Sequence, residues 1–274
     1  MKKILCSTGA LIGRPNGRNY KLLKELKDKI NCDGFEFMMY ETWYSERAEV
    51  LKFILSLNLN IPVMHCEKSV GEIISRGENL NEAFENFKIN CSMAEKLGAK
   101  KLVTHLWGGL PSDRNFTNNI NAYKELKNIA DAYKIELLIE NVVCNTLSPM
   151  KRIKELYLIY PDIKFVFDTK MAQFHRELPE IYKEENAFLF KENMVEHIHL
   201  NDYKGEYMDW SNLKVLPVGE GDVDFKSFFN LLKEINYEGD FTLESTAFNK
   251  EGIVDTNMLN EEISLIKKKY LLEN

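Results

Sequence analysis

The segment Ile135-Glu-Leu-Leu-Ile-Glu-Asn141 contains three consecutive apolar residues, Leu137 to Ile139, that are followed by the carboxylate of Glu140. The same pattern recurs as Phe165-Val-Phe-Asp168 and as Phe241-Thr-Leu-Glu244. Short runs of apolar, β-branched or aromatic residues are typical of strands that are covered on both faces, as in parallel sheets. A charged residue is unusual inside such a strand, so the ends of these strands are candidate positions for polar chemistry.

Runs of this kind recur along the whole chain, and we predict that each forms a strand. The eight predicted strands are Lys3 to Thr8, Gly34 to Met39, Ile61 to Cys66, Lys101 to His105, Ile135 to Asn141, Ile163 to Thr169, Val195 to Asn201 and Gly239 to Ser245.

The segments between the strands have the periodicity of amphipathic helices, with apolar residues at intervals of three and four. The predicted helices are Tyr20 to Ile30, Arg47 to Leu57, Leu80 to Leu97, Asn118 to Tyr133, Pro149 to Tyr160, Glu177 to Asn193, Phe225 to Ile235 and Asn257 to Tyr270. Gly98 stands where a left-handed helix C-cap favours glycine, and Asp224 stands where an N-cap is expected. Of these segments, Glu177 to Asn193 has the poorest helical pattern.

Eight strands that alternate with helices predict a single (β/α)₈ barrel, an α/β fold in which residues 1–274 form one domain. A doubly wound sheet is the alternative, and it often carries the sequence Gly-x-Gly-x-x-Gly after its first strand. Here the first turn reads Ser7-Thr-Gly-Ala-Leu-Ile-Gly13, which does not match. No segment rich in Pro, Gly or Ser divides the chain, so the single barrel is favoured.

The composition indicates a globular protein with no nucleic-acid footprint. The chain has 274 residues, of which 45% are hydrophobic, and its formal net charge is −6. Lys and Glu are interleaved, whereas binding to a phosphate backbone favours basic clusters. Five widely spaced cysteines without a Cys-x-x-Cys pair indicate a reducing compartment. There is no signal-peptide pattern and no run of 18 apolar residues, so we expect a cytoplasmic protein with no membrane partner.

Polar side chains that end the predicted strands are the candidate site residues, because chemistry in such barrels gathers at the carboxyl ends of the strands. They are His65, His105, Glu140, Asp168, His199 and Glu244. A single carboxylate at a strand end is often only a helix N-cap or a surface charge. Several carboxylates in one ring would repel one another unless a cation joined them, which favours a divalent metal. The oxygen-rich set Glu140, Asp168, His199 and Glu244 suits one Mn²⁺, Co²⁺, Mg²⁺ or catalytic Zn²⁺ ion.

Five segments of the chain resemble, in order, the xylose isomerase-like TIM barrel superfamily, which includes sugar isomerases and epimerases and endonuclease IV. They are Leu138-Ile-Glu-Asn141, Phe167-Asp-Thr-Lys170, His197-Ile-His-Leu-Asn-Asp202, Val218-Gly-Glu-Gly-Asp-Val-Asp-Phe225 and Leu243-Glu244. The resemblance implies that Glu140, Asp168, His199 and Glu244 hold a divalent metal. It also implies that Glu140 and Glu244 exchange protons with a sugar through a metal-stabilised enediolate, a role that suits carboxylates beside a chelating ion.

The chain departs from endonuclease IV at positions that hold zinc in that family. Leu213-Lys-Val215 stands where the family has Asp-x-His, and Met171 stands where it has a histidine. The trinuclear zinc site of that family is therefore incomplete here. Met171 also departs from the Asp-x-x-His of ketose 3-epimerases, and Asp168-Thr-Lys170 is closer to the Asp-x-Lys of other sugar isomerase-like barrels.

Further residues are candidates for binding a sugar or polyol substrate. His65 and His105 contact substrate hydroxyls in single-metal relatives, although either could be a hydrogen-bonded structural histidine. Trp107 could stack on a sugar face or pack against Pro111. Lys170 and Lys204 could bind a sugar oxygen, a carboxylate or a phosphate, or be solvated. His175 has no assigned role.

The favoured interpretation is a divalent-metal-dependent isomerase or epimerase of a sugar, sugar phosphate or related polyol. The alternatives are a metal-dependent dehydratase or hydrolase of a small polyol, an endonuclease IV-type repair nuclease and a silent barrel that senses a sugar. Missing zinc ligands and the negative net charge argue against the nuclease, and the complete set of metal positions argues against the sensor. The sequence leaves homo-oligomer formation open.

Overall fold

Eight parallel strands form a closed barrel in the computed structural model, which describes residues 2–271. The strands follow one another around the barrel in sequence order. Their bounds are β1 Ile4–Ser7, β2 Gly34–Met38, β3 Val63–His65, β4 Lys101–Thr104, β5 Glu136–Glu140, β6 Lys164–Asp168, β7 Val195–Leu200 and β8 Asp240–Leu243. The predicted (β/α)₈ fold is confirmed, and each strand lies inside its predicted run.

Helices connect the strands. The α-helices are α1 Thr8–Leu11, α2 Leu23–Leu26, α3 Arg47–Ser56, α4 Ser69–Arg76, α5 Leu80–Leu97, α6 Phe116–Ala132, α7 Pro149–Ile159, α8 Thr169–Phe174, α9 Phe188–Lys191, α10 Phe225–Glu234 and α11 Thr256–Ile266. Short 3₁₀ turns lie at Arg14–Asn16, Tyr20–Leu22, Lys27–Lys29, Glu41–Trp43, Leu178–Tyr182, Glu184–Asn186 and Trp210–Asn212, and a π-helical turn lies at Lys267–Leu271.

The helix ends follow the local sequence where capping residues are present. Gly98 follows α5 with a left-handed φ of 82°, as predicted for a C-cap. The Asp224 side chain accepts the N–H of Ser227 and caps α10. Among the described residues, no helix is both long and apolar enough to cross a membrane.

Two predicted helices are instead series of short turns. Tyr20 to Ile30 divides into a 3₁₀ turn, α2 and a second 3₁₀ turn. Three residues per turn also keep Tyr20 and Leu23 on one buried face, so the apolar spacing does not distinguish the two geometries. The prediction of one helix over Glu177 to Asn193 was also wrong. Within this segment the Asn186 side chain donates to the carbonyl of Glu180, a local bond that competes with helical pairing.

Contacts divide the chain into two compact units, which are Met1–Phe35 with Phe167–Asn274, and Glu36–Val166. The first unit contains β7 and β8, and His199 of β7 lies in register with Thr242 of β8. The second unit contains β3, β4 and β5, with His65 in register with Val103. In each unit, the carboxyl ends of the strands therefore carry candidate site residues.

Candidate functional site

Three of the four predicted metal ligands lie together in the first unit, at the ends of β6, β7 and β8. Asp168, His199 and Glu244 each offer a ligand atom, and these atoms lie within 4.8 Å of one another. Asp168 and His199 are fully buried, and Glu244 is partly exposed. The Nδ1 atom of His199 is 3.5 Å from Oε1 of Glu244. The cluster therefore combines buried carboxylate and imidazole groups that need a counter-charge.

Asp168 has two structural roles at once. Its Oδ1 atom accepts the N–H of Met171 at 2.7 Å and caps α8. Its Oδ2 atom accepts a hydrogen bond from the Asn201 amide at 3.0 Å. The helix-cap and metal-ligand interpretations of this carboxylate are thus compatible, because each carboxylate oxygen has more than one lone pair.

Asn201 connects two of the candidate ligands. Its Nδ2 atom donates to Oδ2 of Asp168 at 3.0 Å and to Oε2 of Glu244 at 3.1 Å. Its Oδ1 atom accepts the backbone N–H of Lys170 at 3.1 Å. Asn201 lies within the motif His197-Ile-His-Leu-Asn-Asp202, but the sequence alone assigns it no role because its partners are far away along the chain.

The loop that contains Gly219-Glu-Gly-Asp222 is fastened by the neighbouring Asp202. The Asp202 carboxylate accepts the N–H groups of Gly219, Gly221 and Val223 at 2.9 to 3.1 Å. A Cβ atom on Gly221 would lie 2.3 Å from Oδ1 of Asp202, so this position requires glycine. The glycines of this motif therefore serve the fold of the loop.

Glu262 of α11 also holds this loop, through a hydrogen bond to its backbone. Its Oε1 atom accepts the N–H of Val218 and the hydroxyl of Ser245, both at 2.6 Å. Burial raises the pKa of Glu262 to about 7, and the nearby carboxylates Glu220 and Asp202 add to this effect. Its Oε2 atom is buried without a hydrogen-bond partner. A protonated carboxyl suits this environment.

The fourth predicted ligand, Glu140, ends β5 in the second unit and contacts both predicted histidines. The Nε2 atoms of His105 and His65 lie 2.6 Å and 3.2 Å from its Oε2 atom. All three side chains are buried, and the two imidazole rings pack edge to face with centroids 5.0 Å apart. Burial lowers the pKa of His105 to about 4, against the raising effect of the Glu140 charge, so His105 is neutral and donates its Nε2 proton to Glu140.

The tautomer of His65 follows from its second contact. Its Nδ1 atom lies 2.8 Å from the carbonyl oxygen of Cys66, and a carbonyl oxygen only accepts, so Nδ1 carries a proton. In the neutral ring, Nε2 then turns a lone pair toward Glu140. A proton or a cation is needed between these two atoms, and this tautomer is the one that metal-binding or substrate-binding histidines use.

Trp107 fixes the loop after β5. Its indole N–H donates to the carbonyl of Val142 at 3.1 Å, and its ring packs edge to face against Phe116 at 5.4 Å. The side chain is fully buried, so no ring face is open to a sugar in this structure. The ring of Trp107 is therefore packed within the protein, as the packing alternative expects.

The two predicted lysines differ in their environments. Lys170 lies in α8, two residues after Asp168, and only 8% of it is exposed. Lys204 is exposed in the loop after β7. Buried His175 lies beside the rings of Phe174 and Tyr207, at 5.2 Å and 6.1 Å, and it belongs to none of the candidate metal-binding groups of the described residues.

Glu36 is a further buried carboxylate in a strand, but it does not end its strand and so was not among the predicted site residues. It is fully buried in β2, in the sequence Gly34-Phe-Glu-Phe-Met38. The signal that identified Glu140, an acidic residue inside an apolar strand, is also present here. Glu36 was missed because it lies in the middle of its strand.

Comparisons with known proteins agree with this architecture. One curated relative, named Uncharacterized protein MJ1311, from Methanocaldococcus jannaschii, is 24% identical over 209 residues, which cover 70% of this chain and 67% of the relative. A solved D-allulose 3-epimerase from Methylomonas sp. in complex with D-allulose is 17% identical, with 98% and 97% of the two chains covered and a TM-score of 0.71.

Two other solved structures share the fold. The IolI protein with a bound zinc atom is 16% identical with all of both chains covered and a TM-score of 0.74. The 3-keto-D-glucoside 4-epimerase YcjR from E. coli is 16% identical, with 97% and 99% covered and a TM-score of 0.67. The family model described as xylose isomerase-like TIM barrel matches residues 25–269. Since this match spans all the strand ends discussed here except that of β1, the chain belongs to the xylose isomerase-like TIM barrel family.

Proposed function

We propose that the protein is a divalent-metal-dependent isomerase or epimerase that acts on a sugar, a sugar phosphate or a related polyol. In this proposal, Glu140, Asp168, His199 and Glu244 hold one ion. The observation that carries it is the buried cluster of Asp168, His199 and Glu244, whose ligand atoms lie within 4.8 Å of one another. Glu140 is added because it ends β5, which pairs with β6, where its register partner Val166 is two residues before Asp168.

The donor set fits such an ion. Carboxylates that are fully or largely buried, as Asp168 and Glu140 are, require a cation or hydrogen bonds to remain charged. Three carboxylates and one imidazole, without sulfur, favour Mn²⁺, Co²⁺, Mg²⁺ or a catalytic Zn²⁺. The zinc in the IolI structure supports a metal in this family without fixing the metal of this chain.

A bound ion supplies Lewis acidity to the oxygens of a chelated substrate. The protein then has to move a proton to and from the carbon next to the carbonyl group. Glu140 and Glu244 are the proposed acid and base, and His105 orients Glu140 through its Nε2–H. His65 and His105 are the proposed contacts to substrate hydroxyls, with Lys170 and Lys204 as contacts to a sugar oxygen or an anionic group.

Trp107 has a different proposed role. Trp107 is buried, and it donates a hydrogen bond to the carbonyl of Val142, which stands two residues after Glu140. We therefore assign Trp107 to holding the segment that follows Glu140 in place. Its predicted contact with a sugar face would require this loop to move.

The epimerase names of several structural neighbours support the substrate class. All five cysteines are free thiols, which fits a reducing compartment, and we propose a cytoplasmic enzyme with a small-molecule substrate and no nucleic-acid partner.

The experiment is a turnover assay on ketoses, aldoses, their phosphates and keto-inositols. The protein is first stripped with a chelator and then assayed with and without added Mn²⁺ or Co²⁺. The proposal expects epimerised or isomerised product only after the ion is restored. Loss of water from a keto-inositol would instead indicate the dehydratase, and binding of a sugar without turnover by the metal-loaded protein would indicate a sensor. The matched control is Asn186→Ala, a buried asparagine outside the site, which should keep its turnover.

A further inference from the structure

Asn201 is a buried residue to which the sequence assigns no role. Its side-chain amide contacts two carboxylates that the proposed function uses, those of Asp168 and Glu244. The residue is fully buried at the end of β7, two positions after His199. Its Nδ2 atom donates one hydrogen bond to Asp168 of β6 and another to Glu244 after β8, at 3.0 Å and 3.1 Å. A single amide group therefore joins the candidate ligands on both neighbouring strands.

The orientation of the amide is fixed by the backbone. The N–H of Lys170 donates to Oδ1 of Asn201 at 3.1 Å, and only the oxygen of an amide can accept it. The amide nitrogen must then face Asp168 and Glu244, which are acceptors. The backbone of Asn201 is held as well, since the hydroxyl of Thr169 donates to its carbonyl oxygen at 2.6 Å. The amide is therefore restrained by contacts to both its side chain and its backbone.

We propose that Asn201 is a positioning residue that sets the carboxylates of Asp168 and Glu244 in the geometry in which they bind the divalent ion. This inference rests on the proposed function, because it presupposes a metal at these carboxylates. Each Nδ2 hydrogen occupies one lone pair of a carboxylate oxygen, so the remaining lone pairs have a defined direction. Donors of this kind also reduce the repulsion between the two carboxylates before the ion arrives.

Asparagine suits this position better than its close relatives. Aspartate has the same shape, but it lacks the two donors and adds a third negative charge next to Asp168 and Glu244. Alanine leaves both carboxylates without this donor. Residues that orient metal ligands typically contribute 10- to 100-fold to metal affinity.

The first test is calorimetric titration of chelator-treated wild-type protein, Asn201→Ala and the control Asn186→Ala with Mn²⁺ and Zn²⁺. We expect Asn201→Ala to bind about 10- to 100-fold more weakly and Asn186→Ala to bind as the wild type does. If Asn201→Ala binds within about twofold of the wild type, the inference is overturned, because about 0.4 kcal/mol is too little for an orienting role.

The second test uses Asn201→Ser, which removes the amide donor without adding a charge and so remains informative if the alanine variant does not fold. We expect the rise in its melting temperature on adding Mn²⁺ to be smaller than the wild-type rise, because weaker metal binding stabilises the folded protein less. A purely structural role would lower the melting temperatures with and without metal equally, and that result would contradict the inference.

Metal binding by the wild-type protein separates the proposed function from the role of Asn201. If wild-type protein binds no divalent ion, the proposed function fails and this inference fails with it. If wild-type protein binds the ion and both Asn201 variants respond as the control does, only the inference about Asn201 is wrong.

Discussion

The Nε2 atom of His105 lies 2.6 Å from Oε2 of Glu140, and the His105 ring is neutral because burial lowers its pKa to about 4. A neutral donor satisfies the carboxylate without adding a positive charge to the site. The backbone of His105 is held closely as well, because a Cβ atom on Gly71 of α4 would lie 2.1 Å from its carbonyl oxygen. His105 is therefore placed by packing to orient Glu140.

Replacing this donor should destabilise the protein. His105→Leu removes the Nε2–H and leaves Glu140 with fewer partners in a buried site, so we expect a loss of about 1–3 kcal/mol in the free energy of unfolding. His105→Gln retains an amide donor and should lose less. Urea denaturation of the wild type and both variants measures these differences. If His105→Leu were as stable as the wild type, the hydrogen bond to Glu140 would contribute little to stability.

Glu140→Gln and Glu244→Gln should each reduce turnover at least about a hundredfold, because the amide keeps the shape but cannot exchange a proton. Metal binding should weaken without necessarily disappearing. On the correct substrate, reaction in D₂O should place deuterium on the carbon that is epimerised or that lies next to the migrating carbonyl. Mass spectrometry of the product measures this incorporation.

The control for these variants is Glu206→Gln, since the Glu206 side chain is 93% exposed in a loop and should not affect the rate. Product without solvent deuterium would indicate a hydride shift or hydrolysis. Near-native rates in the two glutamine variants would remove these residues from acid/base catalysis.

His199→Ala should lose most of the bound metal, because it removes the only imidazole from the proposed ligand set. Wild-type protein loaded with Mn²⁺ or Co²⁺ should carry one ion per chain by elemental analysis. Asn186→Ala is again the control and should retain the ion. Full occupancy in His199→Ala, or an ion held elsewhere, would sink the assignment of ligands.

Metal-loaded protein should not cleave abasic-site DNA. Phosphodiester cleavage by several metals requires ligands for each ion, and Leu213, Val215 and Met171 have no side-chain atoms comparable to those of Asp or His. The net charge of −6 also opposes association with a duplex. Gel assays on an abasic duplex measure this, and incision that Glu140→Gln abolishes would overturn the prediction.

Glu262 predicts how stability depends on pH. Burial raises its pKa from 4.5 to about 7, so the folded protein binds this proton more tightly than the unfolded chain does. Its contribution is fully present below pH 4.5 and is lost as the pH rises through about 7. At about 1.4 kcal/mol per pH unit, the difference between 7 and 4.5 sets an upper limit of about 3–4 kcal/mol.

The Glu262→Gln variant cannot titrate at this position, so its free energy of unfolding should fall less than that of the wild type between pH 5 and pH 8. Urea denaturation at a series of pH values measures both slopes. Identical slopes would show that Glu262 has the same pKa in the folded and unfolded states.

Local sequence determined most secondary structure because its signals act over a few residues. The apolar period and Gly98 gave both ends of α5, Leu80–Leu97, and the alternation of strands and helices gave the closed barrel. The short helix α8 was not predicted, although its cap, Asp168, is adjacent in sequence. An acidic residue at a strand end is ambiguous between a cap and a ligand until the partners of its two oxygens are known.

The sequence by itself determined which residue types stand at the strand ends, since a charged residue that closes an apolar run is visible without coordinates. Only the tertiary structure decided their partners. Asn201 reaches Asp168 and Glu244 across 33 and 43 residues of chain, and His65 meets Glu140 across 75 residues. Hydrogen bonds depend on distances of about 3 Å and on the direction of each lone pair. Sequence spacing cannot specify these quantities, because they are fixed only when parallel strands pair and their carboxyl ends come together.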